Sequence, residues 1–199
     1  MITKIAKLVA GWLAKEGVIS ENDSELYEYA MYSFLFGTLP ILIAVIWGII
    51  LGMLVESILF MLPFILIRKF SGGYHLKSPV CCFVTSVSLV GGALIILRYV
   101  VQRSLLVPLT VVVALAGILL CILSPIDSAS RQLNQHEIRV FRKIARLMTL
   151  VSILVYVVFI HIEIYNVAVP IGGGIILSAV LQLPVVLERL WKRVASSGT

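Results

Sequence analysis

Long stretches without a single charged side chain constrain this 199-residue chain more than any other feature. They cover residues 31–55, 57–67, 80–97, 104–124, 147–160 and 164–187. A helix crosses the hydrocarbon layer in about 20 apolar residues, with ~17 near the lower limit. Most of the runs reach that length, and 147–160 does so with its flanks. Run 57–67 is too short alone and contains Pro63. Either its helix borrows residues 55–70, or it crosses a locally thinned membrane. The expectation is an all-α, polytopic membrane protein of six spans. A chain 60% hydrophobic and only 13% charged, with mean hydropathy +1.08, cannot be an ordinary soluble domain.

Charge is sorted among the segments that join the runs. With both termini on the cytoplasmic side, fourteen of the sixteen Lys and Arg residues lie inside, leaving Arg98 and Arg103 outside. That bias orients the protein by the positive-inside rule. The net charge of +6 therefore speaks of topology and an acidic partner before nucleic acid. Within residues 1–17, Ile2, Ile5, Ala6, Val9, Trp12 and Leu13 fall on one helical face, with Lys4, Lys7 and Lys15 roughly opposite. This predicts an amphipathic helix in the interface, broken at Gly17, with Ser20 and Asp23 starting the next. Residues 18–199 then form the six-helix core of one membrane-embedded domain. The three cysteines suggest no disulfide framework: Cys81 and Cys82 are adjacent, and Cys121 lies in an apolar run.

One polar stretch interrupts the apolar pattern: Ser71-Gly72-Gly73-Tyr74-His75-Leu76-Lys77-Ser78-Pro79-Val80-Cys81-Cys82. A lipid-embedded helix gains nothing from two glycines, a histidine and a proline there. The stretch does put an imidazole and a thiol at the edge of the membrane. A cysteine nucleophile works as its thiolate, and a neighbouring imidazole can accept the proton. His75 and Cys82 are seven residues apart, roughly 10 Å along an unbroken helix, too far for proton transfer. Pro79 and the glycines disfavour such a helix, so the loop can bring His75 back to a cysteine at the start of the third span. If Pro79 occupies that helix's first turn, Cys82 lies near its positive end, which favours thiolate.

Arg68, Gly73, His75 and Cys82 resemble the pattern of the accessory gene regulator protein B (AgrB) family: a basic residue, a small or glycine pair, a histidine, six residues and a nucleophilic cysteine. That spacing selects Cys82 over Cys81. A second match is Ser124-Pro125-Ile126-Asp127 with Arg131-Gln132-Leu133, continued by Phe141-Arg142-Lys143-Ile144. Ser130 and Gln132 depart from the usual asparagine and proline. The resemblance implies a membrane cysteine endopeptidase of quorum sensing, acting on a propeptide of the AgrD type. Such a substrate has an amphipathic leader, a central signal sequence and an acidic tail. The enzyme removes the tail, holds the remainder as a thioester acyl-enzyme, and the peptide's own thiol or hydroxyl closes a thiolactone or lactone. His75 and Cys82 are then the catalytic pair, with Arg68, Gly73 and Asp127 in support. A homodimer is also implied, and no cofactor is needed.

An acidic tail needs a basic receptor. Lys69 and Lys77 flank the proposed site, and Arg131, Arg139, Arg142 and Lys143 belong to the densest basic stretch. Two other classes fit less well. A small peptide transporter or exporter without proteolytic activity should carry ionisable residues inside its spans, and few are found. A metal site on His75, Cys81 and Cys82 lacks a fourth ligand.

Overall fold

Helices form wherever the apolar runs predict them, because in a dry layer a chain must satisfy its backbone polar groups within each segment. The structure is a computed structural model that describes residues 2–72, 79–126, 134–188 and 191. Among these no strand is formed. The chain divides into two compact units, Met1–Ile43 and Ala44–Thr199.

The first unit holds α1 (Ile2–Lys15) and the first part of α2 (Ser24–Leu51). Gly17 ends α1 at a positive φ of 68°, and the Ser20 hydroxyl donates to Asp23 at 2.7 Å before a 3-10 turn, Glu21–Asp23, leads into α2. Lys4, Lys7 and Lys15 are exposed as expected. On its apolar face Ala6 and Ala10 are buried and Ile5 and Trp12 are exposed.

The second unit begins with the last turns of α2. It continues through α3 (Leu54–Ser71), α4 (Pro79–Gln102), α5 (Leu106–Leu123), α6 (Gln135–His161) and α7 (Tyr165–Val180). Five segments are long and apolar enough to cross a membrane: Ser24–Leu51, Phe83–Gln102, Leu106–Leu123, Gln135–His161 and Tyr165–Glu188. Helix α3 is the short run of the sequence, extended over both charged flanks. It runs unbroken past Pro63 and carries Glu56 in its first turn and Arg68 and Lys69 in its last. At 18 residues α3 cannot keep those three charges outside a span-length apolar stretch, as the longer α2 and α6 do with theirs.

Helix α6 corrects a boundary. The apolar run that predicts the fifth span begins only at residue 147, and needs its flanks to reach span length. The helix instead starts at Gln135, so Arg139, Arg142, Lys143 and Arg146 lie on its first turns. A capping box explains the early start: the Asn134 side chain bonds the Glu137 backbone, and the Asn134 N–H donates to Glu137 Oε2 at 2.9 Å.

Helix α7 is the centre of this unit, packing against α3, α4, α5 and α6. Between helices in lipid, close approach of small residues replaces the hydrophobic effect as the driving term. Gly172, Gly173 and Gly174 supply it. A side chain at Gly172 would meet the Tyr156 ring, one at Gly173 the Leu97 side chain, and one at Gly174 the backbone carbonyl of Phe60. Two pairings among the described residues meet the demand of a dry environment. The hydroxyls of Thr110 and Tyr156 bond at 2.8 Å, and Trp47 Nε1 donates to the Val87 carbonyl at 3.1 Å. The outer faces of α4, α5 and α6 stay apolar, with Ile96, Leu115 and Leu154 exposed, as suits side chains facing lipid.

Past Val180 the helix is interrupted at Leu181 and Gln182, then resumes over 183–188. Pro184 accounts for the break. It has no N–H for the Val180 carbonyl, and its ring crowds the preceding turn.

Candidate functional site

The ends of α3 and α5 and the turn just past α7 meet at one place, held by backbone and side-chain hydrogen bonds. Helix α3 closes at Ser71, which is buried. Gly72 follows with φ 70° and ψ −160°, a conformation essentially reserved for glycine. Its lack of a side chain is needed twice over, since a Cβ would run into the Ile126 carbonyl. Gly72 and Ile126 form a parallel bridge, and the Ile126 N–H donates to the Ser71 carbonyl at 2.9 Å. Two segments about fifty positions apart, the start of the glycine-rich loop and the Ser124-Pro125-Ile126 turn, are thus joined edge to edge. The Ser124–Pro125 peptide is cis.

Gln182 completes the junction. Its amide Nε2 donates to the Ser124 hydroxyl oxygen at 2.9 Å and to the Ser71 carbonyl at 3.3 Å. The side chain is fully buried, and its Oε1 accepts from no donor among the described residues.

Arg68 sits one turn before the end of α3, where Nη1 donates to the Gly72 carbonyl at 2.8 Å. The guanidinium thereby satisfies a carbonyl at the negative end of the helix, as cations do there. Lys69 is exposed, its ammonium 5.7 Å from the centre of the Phe70 ring. Phe70 in turn meets Phe141 of α6 edge-on, with 5.9 Å between ring centres. That contact sets the basic start of α6 beside the end of α3. Arg139, Arg142 and Lys143 are all exposed there. Arg146 is used differently: its Nε donates to the Cys121 carbonyl at 2.9 Å and so satisfies the end of α5.

Helix α4 begins at Pro79, as the sequence predicts, which puts Cys81 and Cys82 in its first turn. Cys81 is exposed. Of the other candidates, Gly73, His75, Lys77, Asp127 and Arg131 lie outside the described residues, as does the Cys82 side chain.

Sequence reasoning missed Ser71, Ser124 and Gln182 as partners. One signal was present: a single glutamine inside an apolar run, two positions before a proline. At the opposite end of α3, a cavity of about 230 Å³ is lined by residues that include Met53, Glu56, Arg98 and Asn166. The length of α3, about 27 Å at ~1.5 Å per residue, separates it from Gly72.

Three comparisons with known proteins bear on this arrangement. The family described as Accessory gene regulator B matches residues 6–186. AgrB-like protein 2 of Clostridium perfringens strain 13 is 21% identical over 197 residues, covering 96% of this chain and 89% of that protein. An AgrB-like protein of Clostridium perfringens strain SM101 is 20% identical, with the same coverage. No solved structure matches.

Proposed function

This chain belongs to the accessory gene regulator B family, and from that premise we propose that it is a membrane-embedded cysteine endopeptidase of quorum-sensing peptide processing. Cys82 is the nucleophile and His75 the general base and acid. The thiolate of Cys82 attacks the carbonyl before the propeptide's tail. The C–N bond then breaks, and the departing amine takes its proton from the His75 imidazolium. The remainder of the peptide is left as a thioester on Cys82. Its own thiol or hydroxyl attacks that thioester, closes the ring and frees the cysteine.

A thioester suits this sequence of steps. Exchange with a substrate thiol trades like for like, whereas an ester on a serine would make thiolactone formation run uphill. Water must be kept out, and a site at the membrane surface helps to exclude it. In this reading the chain is one domain with six spans, α3 among them, and α1 lies in the interface. Both termini and the site face the cytoplasm, and two copies associate.

The observation that carries the reading is the Gly72–Ile126 junction. It joins the two segments through which the chain resembles the family. In this reading Arg68, Gly73 and Asp127 support the catalytic pair, with oxyanion donors drawn from Arg68 or from backbone amides near Cys82.

The direct test is a mass measurement. Purified protein is mixed with an acidic-tailed propeptide and quenched in acid within the first turnover. The protein should gain the propeptide's mass less the tail, on the fragment holding Cys82. Tail release with no adduct, or with the adduct on another residue, would reject this chemistry.

The acidic tail is held by Lys69, Lys77, Arg131, Arg139, Arg142 and Lys143. Single charged pairs at a wet surface contribute little, but a cluster steers and orients. Arg142→Glu with Lys143→Glu should slow processing about tenfold at low salt while expression holds. The gap should narrow as added salt shortens the Debye length from about 30 Å to about 8 Å. Equal rates for variant and parent at both salt concentrations would exclude α6 from tail binding.

A further inference from the structure

We infer that Gln182 is a positioning residue of the proposed peptidase site: its buried amide clamps the start of the glycine-rich loop to the Ser124–Ile126 turn. The inference rests on the peptidase reading above. The geometry fixes which way the amide points. The Ser71 carbonyl is only an acceptor, so the atom 3.3 Å away must be the amide nitrogen. Both hydrogens of that NH2 are then in use, one on Ser71 and one on the Ser124 hydroxyl oxygen 2.9 Å away.

The remaining atom, Oε1, has no donor among the described residues although Gln182 is fully buried. An unpaired buried acceptor costs stability, and an apolar side chain of the same size would avoid that cost. A glutamine here therefore makes poor sense as packing. It makes sense through what its NH2 group holds, since functional sites are where local rules of stability are broken.

What it holds are the points where two candidate segments leave their helices. Ser71 is the last residue of α3 before Gly72, and the chain beyond carries Gly73, His75 and Lys77. Ser124 is the first residue past α5, and the chain beyond carries Asp127 and Arg131. The Gly72–Ile126 bridge fixes the register between the two, and the single NH2 group of Gln182 ties both to α7. Helix α7 is itself set by its glycines against α3. Pro184 supplies the break that lets residue 182 turn inward, so the clamp is encoded in a Gln-x-Pro step. A displacement of catalytic groups by about 1 Å can cost on the order of a hundredfold in rate.

The test is a kinetic cycle on full-length protein in nanodiscs, with an acidic-tailed propeptide, using Gln182→Met, Ser124→Ala and the double variant. Methionine keeps the volume and removes both the donors and the unpaired acceptor. Gln182→Met should lower kcat about 10- to 100-fold while KM changes less than about threefold. Ser124→Ala should lower kcat by a smaller factor, again at unchanged KM. The double variant should be no slower than Gln182→Met, because one contact cannot be lost twice.

A Gln182→Met kcat within about twofold of the parent overturns the inference. So does a change confined to KM, or a double variant whose loss is the product of the single losses. If Gln182→Met does not fold, Ser124→Ala decides alone, and an unchanged kcat there overturns the clamp. A parent protein that leaves the propeptide uncut overturns the peptidase reading, and the clamp with it. A parent that cuts, with an unaffected Gln182→Met, overturns the clamp only.

Discussion

Cleavage of an acidic-tailed propeptide should fall at least about a thousandfold in Cys82→Ala and in His75→Ala, and stay within a few-fold of the parent in Cys81→Ser. In the proposed mechanism, loss of Cys82 removes the acyl-enzyme outright. Loss of the imidazole removes both the group that makes the thiolate and the acid that protonates the leaving amine. Cys81 is the internal control: it is exposed and shares the first turn of α4 with Cys82. Rates come from mass spectra of the released tail, with each variant's membrane level matched by immunoblot. Activity lost in Cys81→Ser and kept in Cys82→Ala would move the nucleophile by one residue. Activity kept in all three would remove thiol chemistry altogether.

Gly72→Val is expected to abolish processing and to loosen the fold around the junction. Two costs act at this position. The backbone occupies φ 70° and ψ −160°, where a residue with a side chain is strained by about 1–3 kcal/mol. The new Cβ would also meet the Ile126 carbonyl, a backbone atom that cannot rotate away. To relieve either, the bridge between Gly72 and Ile126 must open, and the Ser71 carbonyl loses the Ile126 N–H. Gly92 provides the contrast. It lies within α4 with open space where a Cβ would stand, so Gly92→Ala should leave processing within about twofold and strengthen the helix by roughly 1 kcal/mol. Thermal unfolding in detergent together with tail release separates the two variants. If Gly72→Val processes propeptide at the parent rate, the junction has no part in the site.

Much of the architecture was legible from the runs of uncharged residues. The helices at 79–102 and 106–123 begin and end within a few residues of the runs that predict them, because the need to satisfy the backbone in a dry layer leaves no other local solution. The short second run shows a limit of run length taken alone. Its helix borrows both charged flanks, Glu56 at one end and Arg68 and Lys69 at the other, and matches the 55–70 alternative to within one residue at each end. The fifth span shows a second limit. Hydropathy marks where a helix is apolar, not where it starts, and the Asn134–Glu137 box begins α6 well before its apolar part. Local chemistry did mark the site's borders: Pro79 opens α4, and Gly72 leaves α3 with the backbone that only glycine readily adopts.

The sequence by itself determined that this chain is helical, built for a membrane, and punctuated by one polar stretch bearing an imidazole and two thiols. Those are properties of composition, period and local spacing, and they are set by neighbours a few positions apart. Only the tertiary structure decided that α7 stands at the centre of the second unit, that Ser71 meets Ile126, and that Gln182 ties Ser71, 111 positions away, to Ser124, 58 positions away. The reason is physical. Glycines on α7 admit close backbone approach only once a partner helix is present, and a buried amide shows what it holds only when its hydrogen-bond partners are in place.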